Sequence, residues 1–340
     1  MSTELVVEPV ETPSPVVEPP SSVVELVETG FRQAQSPAVG FRQAQSPAVG
    51  FRQAQSPASP RGELALRIGG RGGRSFATHQ FHQGALRVLR PHYLDESGQV
   101  CYVVVNPGGA YLGADLYVID VEVEAGADLL LTTQSATKVY RTPGSFAEQR
   151  MSVRLGEEAR LELLPDQLIA YREASYRQNS HITVHPTSSL VSAEVVTPGW
   201  SPEGAAFRYE ELRLRSEVRV ETAPGEQELL VLDNVLIRPN PGSPDDVTGM
   251  GFMEGFSHLG SLLVVDPRVD QALADDLHQL TAGHPAHSGI SLTRTVAGTT
   301  GLMLRALSNS TGGLNRLLGE CTALLRNRWY GQQPLNLRKY

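Results

Sequence analysis

The chain has 340 residues, of which 40% are hydrophobic, enough for a sizeable core in one large or two medium domains. Its net charge of -8 at pH 7 argues against nucleic acid as a partner, because binding a polyanion needs clustered lysine and arginine side chains. No apolar run approaches the roughly 20 residues that span a bilayer. The acidic N-terminus also lacks the basic and apolar regions of a signal peptide. We therefore expect a cytoplasmic protein with no membrane or nucleic-acid partner.

Residues 1–60 differ in composition from the rest of the chain. Residues 6–12 recur in nearly the same form at 23–29, and a ten-residue segment at 30–39 is repeated at 40–49. This period matches no solenoid repeat and buries too little apolar surface to offset the chain entropy. A partner-binding tail is one interpretation. The pattern favours the other, a disordered low-complexity tail that precedes one folded domain at 61–340.

After residue 61, short runs of alternating or continuous apolar residues predict many strands. Gly, Pro, Asn or Asp turns separate these runs, and no helix-length pattern lies between them, so parallel strands joined by helices are not expected. An all-β sandwich, a barrel or a coiled stack of sheets remains. The predicted strands lie at 100–105, 116–123, 128–133, 151–155, 160–164, 181–184, 190–196, 211–220 and 228–237.

The last quarter of the chain predicts two helices. Apolar residues recur every three or four positions near 267–281 and again near 314–326, which is the period of a helix face. Both apolar faces are expected to pack on the core. A stretch rich in Gly, Pro and Asp at 239–260 predicts a long, mobile loop before these helices.

The sequence contains no motif of an enzyme active site. A nucleophile elbow, a zinc-protease motif and a phosphate-binding loop are all missing, so we predict a non-enzymatic protein. Cys101 and Cys321 lie in apolar patterns without metal-ligand spacing, which predicts buried reduced thiols. His284 and His287 share a predicted turn, but two histidines alone make a weak metal site, and a pair on a surface loop is the favoured interpretation.

Several carboxylates lie within or beside apolar strands. A carboxylate in such a place needs a charged partner, contact with water or a shifted pKa. From the spacing alone, an ion pair with an arginine or exposure on an outer strand face is the favoured interpretation. The residues are Asp115, Glu162, Asp166 and Glu194.

Three motifs resemble those of the UreD (UreH) family of urease accessory proteins. Residues 106–115 read NPGGAYLGAD, which is similar to a family signature with a Pro-Gly-Gly turn followed by Gly-x-Asp. Residues 131–141 read LTTQSATKVYR, which is the most specific of the three matches. Residues 161–171 read LELLPDQLIAY, with Leu163 where the family usually has tryptophan.

The resemblance implies a fold and a function. UreD proteins resemble a β-helix-like stack of strands with a small helical part, and they catalyse nothing themselves. They act with UreF, their direct partner, and with UreG on apo-urease, and the resemblance implies that nickel passes through an internal polar tunnel. A homodimer of such complexes is one assembly that the resemblance allows.

This picture gives the four strand carboxylates a role. Asp115, Glu162, Asp166 and Glu194 become the candidates for transient nickel contacts along the tunnel, with no permanently bound cofactor. Carboxylates suit a metal in transit because they hold Ni²⁺ more weakly than sets of His or Cys do. The alternative from another class is a β-rich glycan-binding module, which requires exposed aromatic platforms.

Overall fold

The structure is a computed structural model that describes residues 61–240, 247 and 249–337, together with the backbone of residues 23–26. The strands are β1 Val23–Leu26, β2 Gly62–Arg71, β3 Arg74–Gly84, β4 Arg87–Val88, β5 Val100–Val105, β6 Leu116–Val123, β7 Asp128–Thr133, β8 Thr137–Val139, β9 Ala147–Leu155, β10 Arg160–Leu164, β11 Leu168–Ala170, β12 Ser175–Val184, β13 Ser189–Val196, β14 Glu211–Ala223, β15 Glu226–Arg238, β16 His258–Val265, β17 His287–Arg294 and β18 Thr300–Ser308. The helices are α1 Gln271–Ala282 and α2 Thr311–Tyr330.

The strands form a coiled stack in which the chain alternates between two sheets. The first sheet has the order β1-β15-β14-β12-β9-β6-β2-β3, and the second has β17-β18-β16-β13-β10-β7-β5-β4. The strands β2, β6, β9, β12 and β14 run parallel to one another, as do β5, β7, β10 and β13. Parallel strands need a crossover, and here each crossover passes through the opposite sheet instead of a helix. The predicted all-β, β-helix-like stack is confirmed.

The main core fills the space between the two sheets. Because side chains of a strand alternate between its faces, every second residue of β12 points inward, including the buried Tyr176, Ile182 and Val184. Polar residues of the same strand occupy the outer face. The period-two pattern of the sequence therefore forms this core directly.

The two helices cover the outer face of the second sheet. Their apolar residues form a second core with Val191 and Val195, which point away from the inter-sheet core on β13. This strand is buried on both faces, which explains its nearly continuous apolar sequence. Both predicted helices exist with shifted ends, because the Asp270 and Ser310 side chains accept hydrogen bonds from backbone amides three residues later and start the helices there.

The predicted loop at 239–260 is only partly described. Residues 241–246 and 248 lie outside the described residues, but Val247 and Met253 are buried in the inter-sheet core. The strand β16 already begins at His258.

The predicted tail at 1–60 lies outside the described residues except for the short β1 backbone, so its disorder stays a prediction. Within the described chain, neither helix has the length and apolar character needed to cross a membrane.

Candidate functional site

A cavity of about 110 Å³ lies between the two sheets. Its wall contains apolar residues but also a set of inward-pointing polar side chains that interrupt the core. The polar lining residues include Gln149, Gln178, Ser180, Asp166, Ser192, Glu194, Ser216, Asp233 and Ser261. A polar interior in a stack of strands is costly unless water, a hydrogen-bond partner or an ion compensates it.

The polar character of the lining increases along the stack. One row of neighbouring inward residues in the first sheet runs through Ile119, Met151, Ser180, Ser216 and Asp233, one from each successive strand. The row therefore changes from apolar to hydroxyl and then to carboxylate. Its four strand spacings, at about 4.8 Å each, give this row a length of roughly 19 Å.

Glu194 points from β13 into the cavity between the sheets. Its carboxylate accepts a hydrogen bond of 2.7 Å from the Gln178 side chain of the opposite sheet. Burial raises the pKa of Glu194, and the neighbouring Asp233 raises it further, while Arg305 lowers it. The carboxylate contacts the cavity and not the outer surface, so it can offer oxygen ligands only to something inside this cavity.

Asp166 reaches the same cavity from the turn after β10. Its backbone N–H donates to the Thr133 hydroxyl at 2.8 Å, which fixes the turn against the end of β7. Thr133 and Thr137 line the cavity beside it. Of the acidic residues predicted from the sequence, Asp166 and Glu194 are therefore brought to one space.

Asp115 does not line this cavity. Its carboxylate accepts hydrogen bonds from the Leu112 backbone amide at 2.9 Å and from the Tyr117 hydroxyl at 3.1 Å. These bonds close the turn of the NPGGAYLGAD motif just before β6. The structure thus gives Asp115 a turn-forming position, and its contact with a metal stays a prediction.

Glu162 lies on the other face of the second sheet. Its side chain is 1% exposed and accepts hydrogen bonds from Arg160 at 2.7 Å, from Gln99 at 3.2 Å and from Arg326 of α2. A buried carboxylate surrounded by two guanidinium groups has its charge compensated by the protein itself. The position of Glu162 therefore explains the anchoring of α2 and not the lining of the cavity.

The cluster around Glu162 contains a second carboxylate, Asp128. It pairs with Arg160 at 3.2 Å and accepts a hydrogen bond of 2.7 Å from Gln99. Burial raises the pKa of Asp128 to about 6, against the opposing effect of Arg160. The Arg160 guanidinium also lies 3.7 Å from the ring centre of Tyr330 at the end of α2.

Asp233 and its partner Arg305 are not among the site residues predicted from the sequence. The Arg305 guanidinium of β18 forms an ion pair with the Asp233 carboxylate of β15, and so joins the two sheets. The sequence signal for Asp233 is a charged residue at a position where the alternation of the strand predicts an inward-pointing apolar side chain. In β15, Asp233 stands in the same alternation as the buried Val231 and Val235.

The cavity is unlike a storage site for a metal. Among the described residues, no group of three or more His, Cys, Asp or Glu side chains is arranged to hold an ion. The carboxylates of Asp166, Glu194 and Asp233 instead line the cavity among hydroxyl and amide groups. Hard oxygen donors without a closed ligand set suit a cation that binds weakly and leaves.

Comparisons with known proteins agree with the motifs. The family model for the UreD urease accessory protein matches residues 60–339. A urease accessory protein UreD from Arthrobacter sp. (strain FB24) is 77% identical over 282 residues, which cover 83% of this chain and 95% of the relative. A protein of the same name from Kocuria rhizophila is 47% identical, with 82% of this chain and 89% of the relative covered. One from Staphylococcus aureus is 33% identical, with 82% and 98% covered. The chain belongs to the UreD family of urease accessory proteins.

Proposed function

We propose that this protein is a non-enzymatic scaffold that passes nickel to apo-urease through the passage between its sheets. The observation that carries the proposal is the set of polar and acidic side chains that replaces core residues in the wall of the cavity between the sheets. A closed core would be more stable without them, so their presence needs a functional reason. Nickel is the cargo in this proposal and is not retained.

In this proposal, the nickel ion contacts the carboxylates of Asp166, Glu194 and Asp233 in the passage. Because burial raises the pKa of Glu194, its carboxylate holds a proton more tightly than an exposed one and gains a cation by losing that proton. The neighbouring Ser and Gln side chains replace part of the hydration of the ion. An ion held by one or two carboxylates at a time can move on, whereas a set of histidines would retain it.

The partners follow from the family and from the printed name of the relatives, urease accessory protein UreD. We propose that UreF binds directly, that UreG joins through this complex and that the assembly acts on apo-urease in the cytoplasm. Co-purification of each tagged partner with the full chain tests this order. Retention of UreG without UreF would contradict it.

The central test is urease activation with Glu194→Gln, a substitution that keeps the shape of the side chain and removes the charge. The variant is co-expressed with the cognate urease genes at limiting nickel, and urease activity and urease nickel content are measured. We expect both to fall at least fivefold while UreF still co-purifies. The matched control is Glu122→Gln, which removes a carboxylate paired with Arg67 at 2.8 Å on the exposed face. Normal activation by Glu194→Gln would refute the proposed route.

One surface feature favours a second candidate, the glycan-binding module. Tyr140, Tyr171 and Trp200 follow one another on successive turns of the stack, with ring centres 4.6 Å and 4.9 Å apart. Trp200 is 50% exposed and Tyr140 39% exposed, so the row is an aromatic platform of the kind that sugars stack on. Binding of soluble oligosaccharides to the full chain, lost in Trp200→Ala, would support this candidate. No binding at millimolar sugar would refute it.

A further inference from the structure

A second space meets the interior passage at one ion pair. A groove of about 640 Å³ lies between the end of α1 and the hairpin of β17 and β18, and His278, His284 and His287 line it together with Arg305. Asp233 lines the interior cavity. Because Arg305 and Asp233 are bonded to each other, the pair stands between the groove and the passage.

The polar rows of both sheets end at this pair. In the first sheet, Ser216 is the register neighbour of Asp233. In the second sheet, Glu194, Ser261 and Arg305 are register neighbours on β13, β16 and β18. The ion pair thus links the last polar residues of both walls.

The charge of Arg305 opposes the passage of a cation. The guanidinium repels a cation, and its pairing with Asp233 occupies the carboxylate that an ion would use. Within the described part of the chain, the Nη1 atom of Arg305 is buried without a hydrogen-bond partner. The guanidinium is therefore incompletely satisfied in the closed arrangement, which favours a second position for it.

We infer that Arg305 and Asp233 form a cation gate, and that the histidine-lined groove is the outer mouth of the passage. This inference rests on the proposed transport of nickel. In the closed state the ion pair separates the two spaces. In the open state Arg305 turns into the groove, where Glu254 offers another carboxylate, and leaves Asp233 and Glu194 facing the passage. Imidazole groups at the mouth suit a borderline divalent cation such as Ni²⁺.

The gate is tested by the access of a small cation to the interior of the isolated full-length protein. Ser192→Cys places a thiol on the cavity wall, and its rate of reaction with the cationic reagent aminoethyl methanethiosulfonate is measured by mass spectrometry. We expect Arg305→Met to raise this rate at least tenfold. Arg305→Lys retains the positive charge and is expected to raise it less. Equal rates in the original and Arg305→Met proteins would overturn the inference.

Two controls keep the result interpretable. Arg215→Met removes an arginine paired with Glu217 at 2.7 Å, away from the cavity lining, and is expected to leave the labelling rate unchanged. The native thiols of Cys101 and Cys321 are buried, so their labelling reports unfolding. If Arg305→Met labels these thiols, Asp233→Asn serves as the second variant, since it frees Arg305 without removing its side chain. Unchanged labelling in Asp233→Asn would then overturn the gate.

The gate and the nickel route fail in different ways. Faster labelling in Arg305→Met together with normal urease activation by Glu194→Gln would uphold the gate and refute nickel as the cargo of this passage. Unchanged labelling together with lost activation in Glu194→Gln would uphold the nickel route and refute the gate. The labelling assay needs no urease, UreF or UreG.

Discussion

Replacement of Glu162 by alanine is expected to destabilise the protein strongly, because it leaves two buried guanidinium groups with less compensation. Glu162 and Arg326 have side chains that are each 1% exposed, and Arg160 is 6% exposed. Removal of one partner of a buried ion pair costs about 3–5 kcal/mol. Arg160 keeps Asp128 at 3.2 Å, and Arg326 keeps the partly exposed Asp95 at 3.3 Å. These remaining partners place the expected loss near the lower end, at about 3 kcal/mol.

The assay is reversible urea unfolding of the full chain, followed by circular dichroism and by hydrogen exchange of α2. Glu162→Gln keeps an acceptor for the arginines and is expected to lose less stability than Glu162→Ala. Amide protection in α2 should fall first, because Arg326 is its buried anchor. Glu122→Ala, which removes an exposed ion pair with Arg67, is expected to change stability by less than about 1 kcal/mol. A change of under about 0.5 kcal/mol in Glu162→Ala would refute the assignment of Glu162 as a structural anchor.

Three further predictions concern single positions. Burial raises the pKa of Asp128 from 3.8 to about 6, so the folded state binds a proton on this carboxyl group more tightly than the unfolded state does. The stability that this proton binding contributes is fully present below pH 4 and is lost as the pH rises through 6. The unfolding free energy of Asp128→Asn, relative to that of the original protein, should therefore rise by up to roughly 3 kcal/mol between pH 4 and 7. If the two proteins show the same dependence of unfolding free energy on pH, the prediction is contradicted. Ser310→Ala removes the cap of α2 and should cost about 1 kcal/mol in urea unfolding, whereas Ser310→Asp should cost little. Gly199 has a φ of +85° and its added Cβ would lie 2.4 Å from the Ala170 carbonyl oxygen, so Gly199→Ala should cost about 1–3 kcal/mol. Gly204→Ala, at a φ of +74° with open space, should lower the melting temperature less.

The sequence predicts the secondary structure well where the pattern is local. Alternation of apolar residues gives the strands of both sheets, since successive side chains of an extended chain must point to opposite faces. The helix period gives α1 and α2, but their ends depend on the Asp270 and Ser310 caps. The family motifs then select the stack of sheets from among the all-β folds that the alternation allows.

The candidate site depends on contacts that local sequence patterns do not predict. Asp115, Glu162, Asp166 and Glu194 look alike in the sequence as carboxylates in or beside apolar strands. In the structure Glu194 faces the cavity, while Glu162 faces α2 and pairs with Arg326, which is 164 positions away. The alternation of apolar and polar residues shows which residues of one strand share a face. It does not show which other element of the fold packs against that face.

The sequence by itself determined the strand-rich class, the two late helices and the family. Each of these depends on composition, a short period or a contiguous motif. Only the tertiary structure decided that Asp233 and Arg305 meet between the sheets, that Asp166 and Glu194 share one cavity and that Glu162 anchors a helix. These facts depend on the register of strands far apart in the chain, which packing of the whole stack fixes and no local pattern encodes.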